Sequence, residues 1–151
     1  MIENLLVIGY LLFIVAPVGT LIHETGHAIG AGIVKADHVQ LSIGLGKKIK
    51  SFSLKNFHIT IHLLFFLGGF VKSNREPTYQ PMEWLTISAF GPLHNIFYAI
   101  FFYYISVYFQ SDYVRLLFLF NLWLAMVNII PFKIRGKQSD GYTILQVLTK
   151  D

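Results

Sequence analysis

Three long stretches of this chain are almost free of charge, and the first of them runs directly into His23-Glu24-Thr25-Gly26-His27. Leu5 to Ile22 has no Asp, Glu, Lys, Arg or His, Trp84 to Phe109 contains His94 but no Asp, Glu, Lys or Arg, and Leu116 to Phe132 is again uncharged. A helix rises ~1.5 Å per residue, so about 20 such residues cross the hydrocarbon core of a bilayer. The expectation is an α-helical membrane protein with three spans, over about residues 5–30, 84–109 and 114–132. Composition agrees: 54% of the 151 residues are hydrophobic and only 13% are charged, a balance that the surface of an ordinary soluble domain would not tolerate. Met1-Ile2-Glu3-Asn4 lacks the basic region of a cleavable signal, so the first stretch is expected to be retained as a membrane helix.

The five-residue motif carries chemistry. Histidines four apart share one face of a helix, so His23 and His27 can both reach one metal ion, while Glu24 between them can poise a carboxylate beside the water that completes the coordination. With no cysteine in the chain, a zinc ion must be held by nitrogen and oxygen. The positions of the twelve Lys and Arg then indicate where the third ligand lies. Seven of them (Lys35, Lys47, Lys48, Lys50, Lys55, Lys72, Arg75) fall between the first and second spans, and four (Lys133, Arg135, Lys137, Lys150) follow the third. The positive-inside rule puts the N-terminus outside, with the C-terminus and the histidine end of the first helix on the cytoplasmic side. A third ligand should come from the inward end of another span, and Asp140, in Ser139-Asp140-Gly141, is the best candidate there. The same charge distribution makes the formal net charge of +4 a matter of topology and excludes a nucleic-acid partner as its reason.

Residues 38–72 do not read as helix. Val39, Leu41 and Ile43 alternate with polar residues, as do Phe57, Ile59 and Ile61, which predicts short strands and turns. Glycines 44, 46, 68 and 69 supply bends, and the apolar run Leu63 to Leu67 suggests a hairpin dipping into the bilayer beside the helices. Such a region can clamp an unwound substrate segment by strand addition, with Gly68, Gly69 and Phe70 at the clamp, or it can simply cover the active site. His58 and His62 share a strand face and are either solvated or a second metal site. His94, an imidazole inside a span, is either a neutral hydrogen-bonded group or one that moves a proton or touches substrate. The aromatic run from Phe97 to Phe109 fits lipid-facing bulk and an interfacial belt.

Four blocks together resemble the site-2 protease family of intramembrane zinc metalloproteases. They are His23-Glu24-Thr25-Gly26-His27; Ser42-Ile43-Gly44-Leu45-Gly46-Lys47 with Leu67-Gly68-Gly69-Phe70-Val71-Lys72; Gly91-Pro92-Leu93-His94-Asn95; and Asn128, Pro131, Asp140 and Gly141. The resemblance implies a single catalytic core over residues 1–151, without accessory domains, in which His23, His27 and Asp140 bind one Zn2+ and Glu24 is general base and then proton donor. It implies regulated intramembrane proteolysis of a transmembrane protein or peptide, with an upstream protease or a regulatory membrane partner, in a prokaryotic plasma membrane. Asn128, Asn95 and His94 would touch substrate or the developing oxyanion, Asn128 having the alternative of tying down a helix end. One departure is the long run from Pro131 to Asp140, which carries three cations. A non-proteolytic membrane scaffold or chaperone that keeps the fold is the competing expectation, and the intact Glu24 argues against it.

Overall fold

In the computed structural model, which describes residues 2–134 and 136–149, three helices are long and apolar enough to cross a bilayer: Ile2–Ile33, Pro81–Phe109 and Asp112–Ile129. Arg135 and Lys150, two of the cations counted above, lie outside the described residues. The first span consists of α1 (Ile2–Tyr10), a π turn (Leu11–Val15) and α2 (Ala16–Ile33). Pro17 cannot donate a backbone hydrogen bond, and the wide turn before it, closed by the Ala16 N–H on the Leu11 carbonyl, lets the helix continue past it.

The second span, α3 (Pro81–Phe109), starts at a capping box formed by Gln80 and Glu83, with proline at its first position, where a missing N–H costs nothing. As the single span expected over 84–109 requires, α3 runs unbroken through Gly91 and Pro92. Pro92 is buried between helices, where neighbouring packing offsets the lost hydrogen bond. The third span, α4 (Asp112–Ile129), is capped by Ser111. It ends three residues earlier than the uncharged run, because Ile130 precedes Pro131 and adopts extended backbone, as a residue before proline tends to.

Between the first two spans lie two strands, β1 (His38–Leu54) and β2 (Phe57–Asn74), longer than the expected short segments. Each bends instead of ending. Positive φ at Gly44 and Gly68 turns the backbone where a side chain would be strained. The bends fold the pair into four adjacent segments. Residues 48–54 pair antiparallel with 57–62, and 38–43 pair antiparallel with 69–74, while Val39↔Phe57 through Ile43↔Ile61 run in a parallel register. Segment 38–43 is therefore central and segment 69–74 lies at an edge. Val39, Leu41 and Ile43 face Ala28, Ala31, Val34, Tyr79 and Ile87 to form the core. The deep bend at 63–67 rests on Phe13, whose ring centre is 5.1 Å from that of Phe66. Phe13 is 20 residues above Ile33 on the first span, so the hairpin descends ~30 Å along the helix.

Arg75 locks this sheet to the spans. Its guanidinium makes two hydrogen bonds to Glu83, at 2.7 and 2.6 Å, and a third to the Val34 carbonyl at 2.6 Å. The end of α2, the end of β2 and the start of α3 are thus held by one planar group, in the bidentate geometry that makes arginine hard to replace.

The run from Pro131 to Asp140 is a small hairpin of β3 (Lys133–Ile134) and β4 (Lys137–Gln138), followed by a helix, α5 (Asp140–Thr149), that the sequence reading did not anticipate. Ser139 closes it. Its hydroxyl donates to the Ile130 carbonyl at 2.7 Å and accepts from the N–H groups of Phe132 and Tyr142 at 3.0 and 3.1 Å. The next turn fits against the end of α4 so closely that a Cβ on Gly141 would overlap the Ile129 carbonyl. Gly141→Ala should therefore destabilise the protein by about 1–3 kcal/mol, the usual cost of overpacking. Thermal unfolding in detergent checks this, and an unchanged midpoint would show that α5 is not seated there.

Candidate metal centre

His23 and His27, one turn apart on α2, turn their Nε2 atoms toward each other and toward Asp140 at the start of α5. Nε2 of His23 is 3.2 Å from Asp140 Oδ2, Nε2 of His27 is 3.3 Å from Oδ1, and the two Nε2 atoms are 3.1 Å apart. The three residues are the one group among the described residues whose donor atoms cluster as metal ligands do. Thus α5 closes the long connection from Pro131 by returning Asp140 to the first helix.

The outer hydrogen bonds determine what the centre can hold. His27 Nδ1 lies 2.8 Å from the Ile87 carbonyl and His23 Nδ1 lies 2.6 Å from Asn95 Oδ1. The Asn95 amide is oriented by its other end, since its Nδ2 donates to the Gly19 carbonyl and to Asn121 Oδ1, so its oxygen faces His23. Both Nδ1 atoms therefore meet pure acceptors and carry the protons, which leaves both Nε2 lone pairs bare. Asp140 Oδ2 is buried without a hydrogen-bond partner. Two bare nitrogens and a carboxylate repel one another unless a cation lies between them. The donor set, two imidazoles and one carboxylate with oriented outer partners, fits a divalent metal such as zinc with a coordination position left open.

Two glycines make room for the centre. A Cβ on Gly91 would fall 2.5 Å from His27 Nε2 and 3.0 Å from His23 Cε1, so the imidazoles occupy the space beside α3 that a larger residue would take. A Cβ on Gly69 would lie 3.0 Å from Glu24 Cγ. Glu24 is itself buried and is thus flanked by the edge segment 69–74. A cavity of about 680 Å³ opens onto His27 and Asp140, with sheet residues on its other wall.

The remaining predicted residues are dispersed. Asn95 is fully buried and its amide is committed on both sides, so it stands behind His23 instead of facing a substrate, as the sequence reading expected. The Asn128 amide donates to the Leu124 carbonyl at 2.9 Å, the helix-tying arrangement of its two readings. His94 is half-buried, packs against Gly26 of the motif helix with its ring centre 5.2 Å from that of Tyr98, and is not one of the clustered donors. Gly68 lies in the bend, and Phe70 is exposed with the Lys72 ammonium over its ring. His58 and His62 pair with Ser53 Oγ and the Ile43 carbonyl and join no ligand cluster among the described residues.

Sequence reasoning missed Asn121 and Ser139. Asn121 is wholly buried, and an amide within an uncharged span was the signal that could have found it. If Asn95 orients the ligand, Asn95→Leu should weaken zinc binding about 10- to 100-fold. Competition with a chromogenic chelator, on protein that keeps its helical content, measures this. Unchanged affinity would separate Asn95 from the metal centre.

The sequence model of peptidase family M50 matches residues 10–113, a stretch that includes His23, Glu24, His27, the whole sheet and Asn95. Asp140 lies beyond it. No individual curated protein matches the chain. The match extends over more than half of the sequence and brackets the motif helix, the hairpin and α3 in order; the chain belongs to peptidase family M50, the site-2 protease family.

Proposed function

We propose that this protein is a zinc-dependent endopeptidase that hydrolyses peptide bonds in or near transmembrane segments of membrane proteins or peptides, in regulated intramembrane proteolysis. The observation that carries the reading is the convergence of His23, His27 and Asp140 at the end of a membrane-length helix, with the buried Glu24 between the two histidines in sequence. A zinc ion held there would activate water and polarise the scissile carbonyl. The other tasks fall to the chain. Glu24 takes a proton from the attacking water and returns it to the leaving amine. Asn95 and the Ile87 carbonyl keep the imidazoles in the ligating tautomer. The edge segment 69–74 offers unpaired backbone beside Glu24, so an unwound substrate can add to it as an extended strand. A helix must unwind before it can be cleaved, because its backbone groups are already paired internally.

The charge distribution favours an N-terminus outside, with the site opening toward the cytoplasm. In this orientation Lys35, Arg75 and the cations after α4 all lie on the inner side, and a prokaryotic plasma membrane fits. Substrates trimmed beforehand by another protease, or a membrane partner that covers the site, would control when cleavage occurs.

Glu24→Gln tests the mechanism. The variant should retain one zinc per chain but lose cleavage by a factor on the order of 10²–10⁴, because the amide cannot act as a base. Metal content and fragment formation, measured together on reconstituted protein with candidate membrane substrates, give the answer. Undiminished cleavage by the variant would eliminate Glu24 as the base. Cleavage that survives complete zinc removal would eliminate the metal mechanism.

A further inference from the structure

The cavity that reaches His27 and Asp140 is electrically asymmetric. On its sheet side it is lined by His38, Gln40, His58, Lys72 and Asn74, and at its floor by Trp84 and Ser88 of α3. A second cavity of about 340 Å³ shares Trp84 and Ser88 and continues along α5, past Gln138, Thr143 and Gln146. The two form one trough that passes the metal centre, with Trp84 at the junction. Its α5 half is lined by no charged residue. Its sheet half contains Lys72, which forms no ion pair among the described residues. The single carboxylate on that half, Asp140, is turned toward the two imidazoles. From residue 38 to residue 75 the chain contains no Asp or Glu, so no carboxylate on the sheet balances the ammonium, whose one partner there is the face of the Phe70 ring, 5.3 Å from its centre.

Register places this charge relative to the chemistry. Gly69 lies against Glu24, and Lys72 is three residues further along the same edge segment, ~10 Å away at the rise of a strand and, by the alternation of side chains, on the opposite, exposed face together with Phe70. A peptide added to that edge would put the side chain opposite Lys72 on the same face as Lys72. We infer that the sheet half of the trough is a subsite for an acidic side chain, Asp or Glu, about three residues from the cleaved bond, and that Lys72 is its specificity-determining residue. His38, Gln40 and Asn74 supply further polar contacts around the carboxylate. The α5 half, with its amides and hydroxyl, takes an uncharged segment on the other side of the bond. This inference rests on the protease reading above and adds the substrate class.

The test uses the full chain reconstituted in vesicles and a set of membrane substrates carrying Asp, Ala or Lys at each position flanking the cleaved bond. Wild type should cleave the Asp form about tenfold faster than the Lys form at one position near the third residue from the bond, on one side only. Lys72→Glu should invert that ratio at the same position, and Lys72→Arg should preserve it. A wild type that cleaves with equal rates for Asp and Lys everywhere would overturn the subsite, as would a ratio that Lys72→Glu leaves unchanged; both outcomes leave the protease reading intact. A zinc-loaded wild type that cleaves no member of the set would overturn the protease reading, and the subsite with it.

Discussion

A chain of buried hydrogen bonds ties the three spans together at the level of the metal centre. It runs from His23 on α2 through the amide of Asn95 on α3 to the amide of Asn121 on α4, and ends on the Leu117 carbonyl. In a bilayer, apolar contacts between helices gain little over contacts with lipid, so small residues and polar bridges determine how helices pack. Each link in this chain is worth ~0.6 kcal/mol by the average for such bonds in membranes. Its value is directional. Asn95 can satisfy His23, Gly19 and Asn121 together in one orientation only, and that orientation fixes the tautomer of a ligand.

The other half of the centre reaches it by different means. Asp140 is far from the histidines in sequence, and it arrives because Ser139 closes the hairpin behind it and Gly141 fits beneath the end of α4. The sheet is brought in by Arg75, which joins three chain ends through one guanidinium. The metal centre therefore lies where three independently anchored pieces meet: the spans, the sheet edge and the start of α5. Gly91 lies close against the imidazoles and Gly69 against Glu24, and neither has room for a side chain. A sheet at membrane depth has to hide its edges from lipid. The edge segment 69–74 meets α2 where Gly69 lies against Glu24, and the substrate strand proposed for it would complete the pairing that its backbone lacks.

Much of this was legible from residues alone. Helix period placed His23, Glu24 and His27 together, and uncharged length marked all three spans. Asp140 was reachable as the acid at the inward end of the last span, although the chain between Pro131 and Asp140 gave no hint of the helix that follows. The strand region was recognised by alternation, but its two long bent strands were not, because alternation reports which face is buried and says nothing about which segments pair. The parallel register between 39–43 and 57–61 cannot be read from either segment alone. The single span across Gly91-Pro92 was legible from its uncharged length, because neighbours in a bundle can supply what the backbone loses at a proline.

Local chemistry thus lay in the sequence: two histidines spaced to share one metal, a carboxylate beside them, a candidate third ligand and three spans long enough to cross a membrane. Those properties depend on spacing along one chain, and spacing is what a sequence records. Only the tertiary structure made Asn95 the partner of His23, turned Asn128 to its own helix, seated α5 against Ile129 and laid Lys72 along a trough beside the metal centre. Each of these depends on which groups from distant segments meet, and that is decided by steric fit and by the requirement that every buried donor and acceptor find a partner.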